Sequence, residues 1–148
     1  MWISRRTDYA TRAVLALALA EGGPLKLDEI AAATEAPRSV LEQVMPTLRA
    51  GGIVRALRGP AGGYALNRPA TEVTLERVVR LFQGQLAPIG YATRRNPDPC
   101  PPLVDRSLRP VWEDVRDATI DILAATTFAD LAARARVAIT EPRDGPSG

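Results

Sequence analysis

Residues 54–66, VRALRGPAGGYAL, place two short apolar stretches on either side of a turn that is rich in glycine and proline. Within each stretch the apolar residues alternate with a period of two, which is typical of β-strands. The turn supplies glycines that tolerate positive φ, and Arg58 stands at its entrance. The pattern therefore predicts a β-hairpin with a basic tip.

An amphipathic helix is predicted immediately before this hairpin, from Arg38 to Ala50. Its apolar residues have the i, i+3, i+4, i+7 spacing of a buried stripe: Leu41, Val44, Met45 and Leu48. The other side carries polar residues: Arg38, Ser39, Glu42, Gln43 and Arg49. Pro46 also falls on that side, and we expect it to bend the helix because proline lacks a backbone donor.

Two more helices are predicted before this one. Ser4 or Thr7 caps the first, which runs to about Glu21 and ends at a Gly-Gly-Pro sequence. The second occupies residues 28–34, after a very short strand at 25–27. Three helices followed by a hairpin are the layout of a winged helix-turn-helix domain. The predicted fold class is therefore mainly α with a small β-hairpin.

The polar side of the third helix has side chains that can read base pairs in a major groove. Glutamine bridges an adenine edge, glutamate accepts from N4 of cytosine, serine suits either base, and arginine contacts guanine or phosphate. Arg5, Arg6 and Arg12, near the start of the first helix, can reach phosphates. A solvated helix surface has the same composition, so these residues indicate DNA binding only together with the hairpin that follows.

The second half of the chain contains a long helix, from about Ser107 to about Ala125. Its apolar residues advance in steps of three and four, close to a heptad repeat. Because the winged domain already has its helices and hairpin, we expect this face to pair with a second copy of the chain rather than to fold back. The predicted dimer interface comprises Leu108, Val111, Trp112, Val115, Thr119, Ile122 and Leu123.

Shorter elements surround the long helix. Thr74 caps a fourth helix that ends at Phe82, and Thr127 caps a last helix that ends near Arg136. The stretch between the fourth and the long helix is rich in proline and is predicted to be an irregular, exposed loop. The predicted division is a winged domain over 1–83, a sensor loop over 84–106, a dimerisation helix with a short terminal helix over 107–136, and a disordered tail over 137–148.

The composition excludes several classes of site. The 148 residues include one cysteine and no histidine. A disulfide within the chain, a zinc site of His and Cys ligands and a His-based catalytic triad are therefore impossible. No nucleophile–base pair is found, so we predict that the chain is not an enzyme. No apolar stretch is long enough to span a membrane and no signal peptide is present, so we predict a cytoplasmic protein without a membrane partner.

The net charge of +2 hides an asymmetry between the two halves. Residues 1–69 hold nine basic and six acidic residues, whereas residues 70–148 hold ten and eleven. Apart from Lys26, every basic residue is an arginine, which suits bidentate contacts with phosphates and bases. A GC-rich coding bias would produce the same excess of arginine.

Three segments together resemble the Rrf2 family of bacterial repressors: LEQVMPTLRAGGIVRALRGPAGGYALNRP at residues 41–69, VTLERVVRLFQGQLAP, and a later RPVWEDVRDATIDIL. The resemblance extends from about Ser4 to Leu131. It implies a homodimer with paired long helices that binds a palindromic operator on double-stranded DNA. It places base-reading positions at Ser39, Glu42 and Gln43 and the arginine that enters the minor groove at Arg58. It places the scaffold of the wing at Gly59, Pro60, Gly62, Gly63 and Tyr64.

The sensor region departs from the family pattern. Cluster-binding members have three cysteines in the stretch that corresponds to residues 84–107, whereas only Cys100 remains here. Some nitric-oxide-sensing members use an acidic residue of the partner's first helix as a ligand, and Asp8 occupies that place. These two candidate metal ligands fall short of the four thiolates that a simple cluster takes, so we expect no conventional iron–sulfur cluster. A cluster that bridges the dimer is the alternative.

Two routes for the signal and one different function stay open. Cys100 lies in an accessible loop near Arg94 and Arg95, a setting that suits a redox switch. A small ligand that binds between the winged domain and the long helix is the other route. The alternative function is a winged-helix protein-interaction module that no longer binds DNA. Loss of the wing arginine would mark such a module, and Arg58 is present.

Overall fold

The computed structural model describes residues 3–141. Within that range the chain forms seven α-helices and one hairpin: α1 (Arg5–Leu19), α2 (Leu27–Thr34), α3 (Arg38–Ala50), β1 (Val54–Leu57), β2 (Gly63–Leu66), α4 (Leu75–Gln83), α5 (Pro102–Arg106), α6 (Leu108–Ala125) and α7 (Phe128–Thr140). Two short 3-10 turns lie at residues 70–72 and 90–92. This order confirms a winged helix-turn-helix fold that is mainly α with a small β-hairpin.

Helix α1 lies at the centre of the domain and packs against α2, α3, α4 and α7. Ser4 caps its start, since the Ser4 side chain accepts a hydrogen bond from the backbone N–H of Thr7 at 3.1 Å. Ala10 and Ala13 are fully buried, and their small side chains let neighbouring helices approach closely. The helix ends at Leu19, two residues before the predicted end, and positive φ values at Glu21 and Gly22 turn the chain away.

The structure confirms the predicted division of α3 into a buried apolar face and an exposed polar face. All four residues of the predicted stripe are buried: Leu41, Val44, Met45 and Leu48. Pro46 lies inside the helix on its exposed side, and the helix continues through it to Ala50. The stripe therefore fixes which side of α3 faces solvent.

The hairpin pairs Val54 with Leu66 and Leu57 with Gly63 in antiparallel register. Leu25 adds a third, one-residue strand: its N–H donates to the carbonyl oxygen of Tyr64 at 2.9 Å, and the N–H of Tyr64 donates back at 2.8 Å. The predicted strand at 25–27 is thus reduced to Leu25, because α2 already begins at Leu27. The backbone at Leu25 ties the hairpin to the start of α2.

Residues 84–106 are less irregular than predicted. They contain a 3-10 turn at residues 90–92 and the short helix α5. Pro101 and Pro102 stand at the start of α5, where a proline costs little because the first backbone N–H groups of a helix have no partner within it. The prolines that suggested a loop therefore also begin a helix.

The C-terminal helices α6 and α7 both contact the winged domain. α6 is 18 residues long, and its Ile120 packs with Val79 and Leu86 in a small second cluster. Phe128, the first residue of α7, is fully buried in the main core. Its N–H donates to the carbonyl oxygen of Val73 at 2.9 Å. The start of α7 is therefore part of the winged domain's core.

The end of α7 corrects the predicted tail. Thr127 caps the helix as expected, accepting from the N–H of Asp130 at 3.1 Å. The helix continues beyond Arg136 to Thr140, so residues 137–140 are helical and not part of a disordered tail. Small and apolar residues continue the helical pattern in this stretch, so the sequence-based prediction ended the helix too early. The rest of the predicted tail, residues 142–148, lies outside the described residues.

Replacing Phe128 with Ala is expected to lower the free energy of unfolding by about 3–5 kcal/mol, because it leaves a cavity between α7 and α1. Urea denaturation at a fixed protein concentration measures this change. Ile139→Ala is the control: Ile139 is 79% exposed, so its loss should change stability by less than about 0.5 kcal/mol. Equal effects of the two substitutions would show that α7 does not belong to the cooperative core.

Candidate nucleic-acid interface

The exposed side of α3 brings together the polar residues singled out from the sequence. The following side chains are all exposed and lie opposite the buried stripe: Arg38, Ser39, Glu42, Gln43 and Arg49. The helix starts directly after Pro37, whose fixed φ suits the entry into a helix. A rigid, core-anchored helix thus presents donors and acceptors on one continuous surface.

Arg38 connects two carboxylates on this surface. Its Nε donates to Oε1 of Glu42 at 3.3 Å, and its Nη1 donates to Oδ1 of Asp28 on α2. The hydrogen bond with Glu42 and the charge of Asp28 raise the pKa of Arg38 above its usual value. Two predicted DNA contacts are therefore paired with each other, and Asp28, which sequence reasoning did not select, joins them.

The tip of the hairpin carries Arg58 as the first residue after β1, and its side chain is exposed. Gly59 has φ +97°, and its carbonyl oxygen accepts from the N–H of Gly62 at 2.9 Å. Pro60 is exposed between them. The turn thus holds Arg58 at the far end of the hairpin, away from the core.

Gly62, Gly63 and Tyr64 build the base of this turn. A Cβ at Gly62 would collide with the carbonyl oxygen of Leu57, and a Cβ at Gly63 would collide with that of Leu25. Gly63 also has φ +143°. Tyr64 packs partly against the main core. These residues position the hairpin, which is the scaffold role that the family resemblance implies.

Arg6 is held between two helices. Its Nη2 donates to Oγ1 of Thr47 on α3 at 3.4 Å, and its guanidinium carbon lies 5.5 Å from the centre of the Phe82 ring on α4. The contact is a cation–π interaction of the kind that Arg forms with aromatic faces. Arg6 is exposed, so a phosphate contact by Arg6 stays a prediction.

Several other arginines of the winged domain have no such partner. Within the described part of the winged domain, residues 3–83, the side chains of five arginines make no hydrogen bond or ion pair: Arg5, Arg49, Arg55, Arg58 and Arg68. Arg55 and Arg68 line a groove of about 490 Å³ beside the hairpin. Sequence reasoning missed these two because each looks like an ordinary solvated residue. One signal was available for Arg55: it lies on the predicted first strand of the hairpin, at a position that strand alternation exposes to solvent.

The arginines around α6 behave differently. Arg94 pairs with Asp117 at 2.8 Å, and Arg109 pairs with Asp105 at 2.7 Å. The side chain of Arg116 is only 11% exposed, and its Nη1 donates to the carbonyl oxygen of Ala92 at 2.6 Å. These three arginines are therefore paired with neighbouring carboxylates, whereas Arg95, Arg106 and Arg134 form no ion pair within the described residues.

Cys100 is half-buried beside α5. Its Sγ lies 3.7 Å from Oδ1 of Asp105 and donates to it. A hydrogen bond from Arg109 holds the pKa of Asp105 below its usual value. Arg94, which we expected near the thiol, is paired with Asp117 instead.

The predicted metal ligands make other contacts. Oδ2 of Asp8 forms an ion pair with Arg12 at 2.7 Å, and Cys100 is bonded to Asp105. In the part of the chain that the structure describes, no three His, Cys, Asp or Glu side chains are grouped as metal ligands. One thiol per chain does not fit the ligand set of a conventional iron–sulfur cluster.

The predicted dimer residues lie along α6. Four of them are exposed: Leu108, Val111, Val115 and Ile122. Trp112, Thr119 and Leu123 are half-buried, and Leu123 also packs against the chain's own second cluster. The result is an apolar strip along a helix of about 27 Å.

A small cavity of about 210 Å³ lies between α6 and the loop that follows α4. Its walls are apolar except for the side chains of Arg116 and Thr119. No helix within residues 3–141 has the length and hydropathy to cross a bilayer.

Comparisons with known proteins agree with this arrangement. The sequence profile of the Rrf2 family, described as "Iron-dependent Transcriptional regulator", matches residues 3–134. Rv1287 of Mycobacterium tuberculosis is 37% identical over 136 residues, which cover 89% of this chain and 81% of that protein. The HTH-type transcriptional regulator CymR of Bacillus subtilis is 31% identical over 133 residues, covering 89% and 90%.

Solved structures show the same similarity. The structure of CymR, the global cysteine regulator of B. subtilis, matches with a TM-score of 0.77 and 29% identity, covering 90% of this chain and 98% of that one. The structure of T. potens IscR matches with a TM-score of 0.74 and 26% identity, covering 98% and 94%.

Proposed function

Because the chain belongs to the Rrf2 family of transcriptional regulators, we propose that it is a homodimeric repressor that binds a palindromic operator in the cytoplasm. The observation that carries this proposal is the exposed polar side of α3 beside a hairpin tipped by Arg58. The relatives that carry a function in their names are transcriptional regulators, and we propose that this chain likewise has no enzymatic activity.

In the proposed complex, α3 enters the major groove and the hairpin follows the adjacent minor groove. Ser39, Glu42 and Gln43 contact base edges, which carry the sequence information. Arg58 reads the minor groove.

Positive charge on the same surface supplies the affinity. Arg5, Arg6 and Arg49 neutralise phosphates, whereas the charge of Arg38, which the sequence also suggested for this role, is already paired with Asp28 and Glu42. Arg55 and Arg68 add positive charge along the side of the hairpin, since both line one groove and neither forms an ion pair within the described residues. The carboxylate of Glu21, which lines the same groove, is paired with Arg136.

The apolar strip on α6 provides the dimer contact. A palindromic operator presents two equal half-sites, and a two-fold dimer presents two equal α3 surfaces. Packing α6 against its copy would remove Val111 and Ile122 from water.

For the signal, we propose a regulator without a conventional iron–sulfur cluster. Cys100 is the redox candidate: a peroxide would convert its S–H to S–OH and release the alcohol or water. The added oxygen atom would not fit in the present 3.7 Å contact between Sγ and Oδ1 of Asp105, so it would displace Asp105 and strain the contacts between α5 and α6. The cavity at Arg116 and Thr119 is the candidate site for a small ligand.

The logarithm of the DNA affinity is expected to fall linearly with the logarithm of the salt concentration. Arg58→Ala should weaken DNA binding by about 1–3 kcal/mol and relax its sequence specificity. The measurement is fluorescence anisotropy on a duplex that the protein selects from a randomised pool. Arg134→Ala, which removes an exposed arginine from α7, is the control and should leave binding unchanged. Weak, salt-insensitive binding to every duplex would favour the protein-interaction module instead.

Ile122→Asp should dissociate the dimer, because it places a carboxylate at the most exposed apolar residue of the strip, near the C-terminal end of α6. Sedimentation equilibrium of the purified protein measures the association. Ile139→Asp, at a residue that is still more exposed but lies on α7, should leave the dimer intact. A dimer that survives Ile122→Asp with unchanged affinity would place the interface elsewhere.

Protein purified without oxygen should show no broad visible absorption band and no stoichiometric iron or sulfide. A visible band would support the dimer-bridging cluster.

If the thiol is the sensor, peroxide should release the operator from the parent protein and leave the Cys100→Ser variant bound. Equal peroxide responses of the parent and the variant would exclude the thiol and favour the ligand cavity.

A further inference from the structure

The contact between α2 and the start of α3 uses only part of each charged group. Arg38 donates through Nε to Oε1 of Glu42 and through Nη1 to Oδ1 of Asp28. Within the described residues, Oε2 of Glu42 accepts no hydrogen bond. All three side chains are more than half exposed, so the arrangement is open to DNA.

This geometry leaves one acceptor of Glu42 available. Cytosine presents a single N4 donor in the major groove, and a carboxylate oxygen can accept from it. The Arg38 charge also offsets the repulsion between the Glu42 carboxylate and DNA phosphates. Arg38 thus supports Glu42 as a base reader best when it occupies only Oε1, because both lone pairs of Oε2 then stay available to a base.

A guanidinium can instead bind both carboxylate oxygens at once, through two parallel N–H groups. For Arg38 that arrangement would use Nε together with the neighbouring Nη2. The bond between Nη1 and Asp28 holds the guanidinium at an orientation in which only Nε reaches Glu42.

Asp28 lies in the first turn of α2, where its charge also interacts favourably with the helix dipole. The hydrogen bond at the start of the helix is made by another residue: the Glu29 side chain accepts from the backbone N–H of Lys26 at 3.1 Å. Replacing the Asp28 carboxylate with an amide therefore leaves that hydrogen bond in place.

We propose that Asp28 is a specificity-determining positioning residue: by holding Arg38 it keeps Oε2 of Glu42 free to accept from a cytosine. The proposal rests on the proposed DNA-binding function. Asp28 itself contacts no base in this scheme, and it acts through Arg38 alone.

The experiment compares affinity profiles of full-length variants. The probe is the duplex that the wild-type protein selects from a randomised pool, together with every single base-pair substitution of that duplex. Asp28→Asn should reduce discrimination at one cytosine position by about five- to tenfold. Asp28→Glu should restore it.

The matched control is Glu35→Gln, which removes an exposed acidic charge between α2 and α3 without touching Arg38. Loss of a negative charge should tighten binding to all duplexes equally and leave the profile unchanged. Glu42→Gln should lose discrimination at the same position, and adding Asp28→Asn to it should cause no further loss.

The outcomes separate the two ideas. If the wild-type protein selects no preferred duplex, the proposed function fails and the inference fails with it. If a duplex is selected but Asp28→Asn has the same profile as Glu35→Gln, only the inference is overturned. A further loss of discrimination in the Glu42→Gln background would also overturn it, since Asp28 would then act by another route.

Discussion

Burial of α1 on nearly every side is the constraint on which the rest of this structure depends. α2, α3, α4 and α7 all pack against it, and the fully buried Ala10 and Ala13 have the small side chains that so many neighbours require. Close packing around one helix leaves little freedom in the angle of α3. The surface that α3 presents to DNA is therefore set mainly by contacts made on its opposite side.

Local patterns were enough to predict most of the winged domain. The buried stripe of α3, the caps at Ser4, Thr74 and Thr127, and the hairpin turn all depend on residues within a few positions of each other. Other features required the folded chain. Phe128 enters a core built from residues far away in sequence, and Asp28 meets Arg38 only when α2 and α3 cross. Residues 84–106 were the least predictable, because their prolines suit both a loop and the start of α5.

The two halves of the molecule use arginine for different purposes. In the winged domain, Arg49, Arg55 and Arg58 are exposed and unneutralised within the described residues, which suits binding to a polyanion. Around α6, Arg109 and Arg116 form ion pairs with Glu113 and Asp117 of the same helix. A codon bias explains at most how many arginines the chain has, and not which of them lie beside a carboxylate.

The corner between α6 and α7 has a mechanical consequence. Leu75 at the start of α4 donates its N–H to the carbonyl oxygen of Thr126 at 2.8 Å, and Phe128 is anchored in the core only two residues later. The C-terminal end of α6 is therefore fastened to the winged domain, and the helix runs from there towards α5 and Cys100. If two chains pair through α6, the crossing angle of the paired helices sets the distance between the two α3 helices.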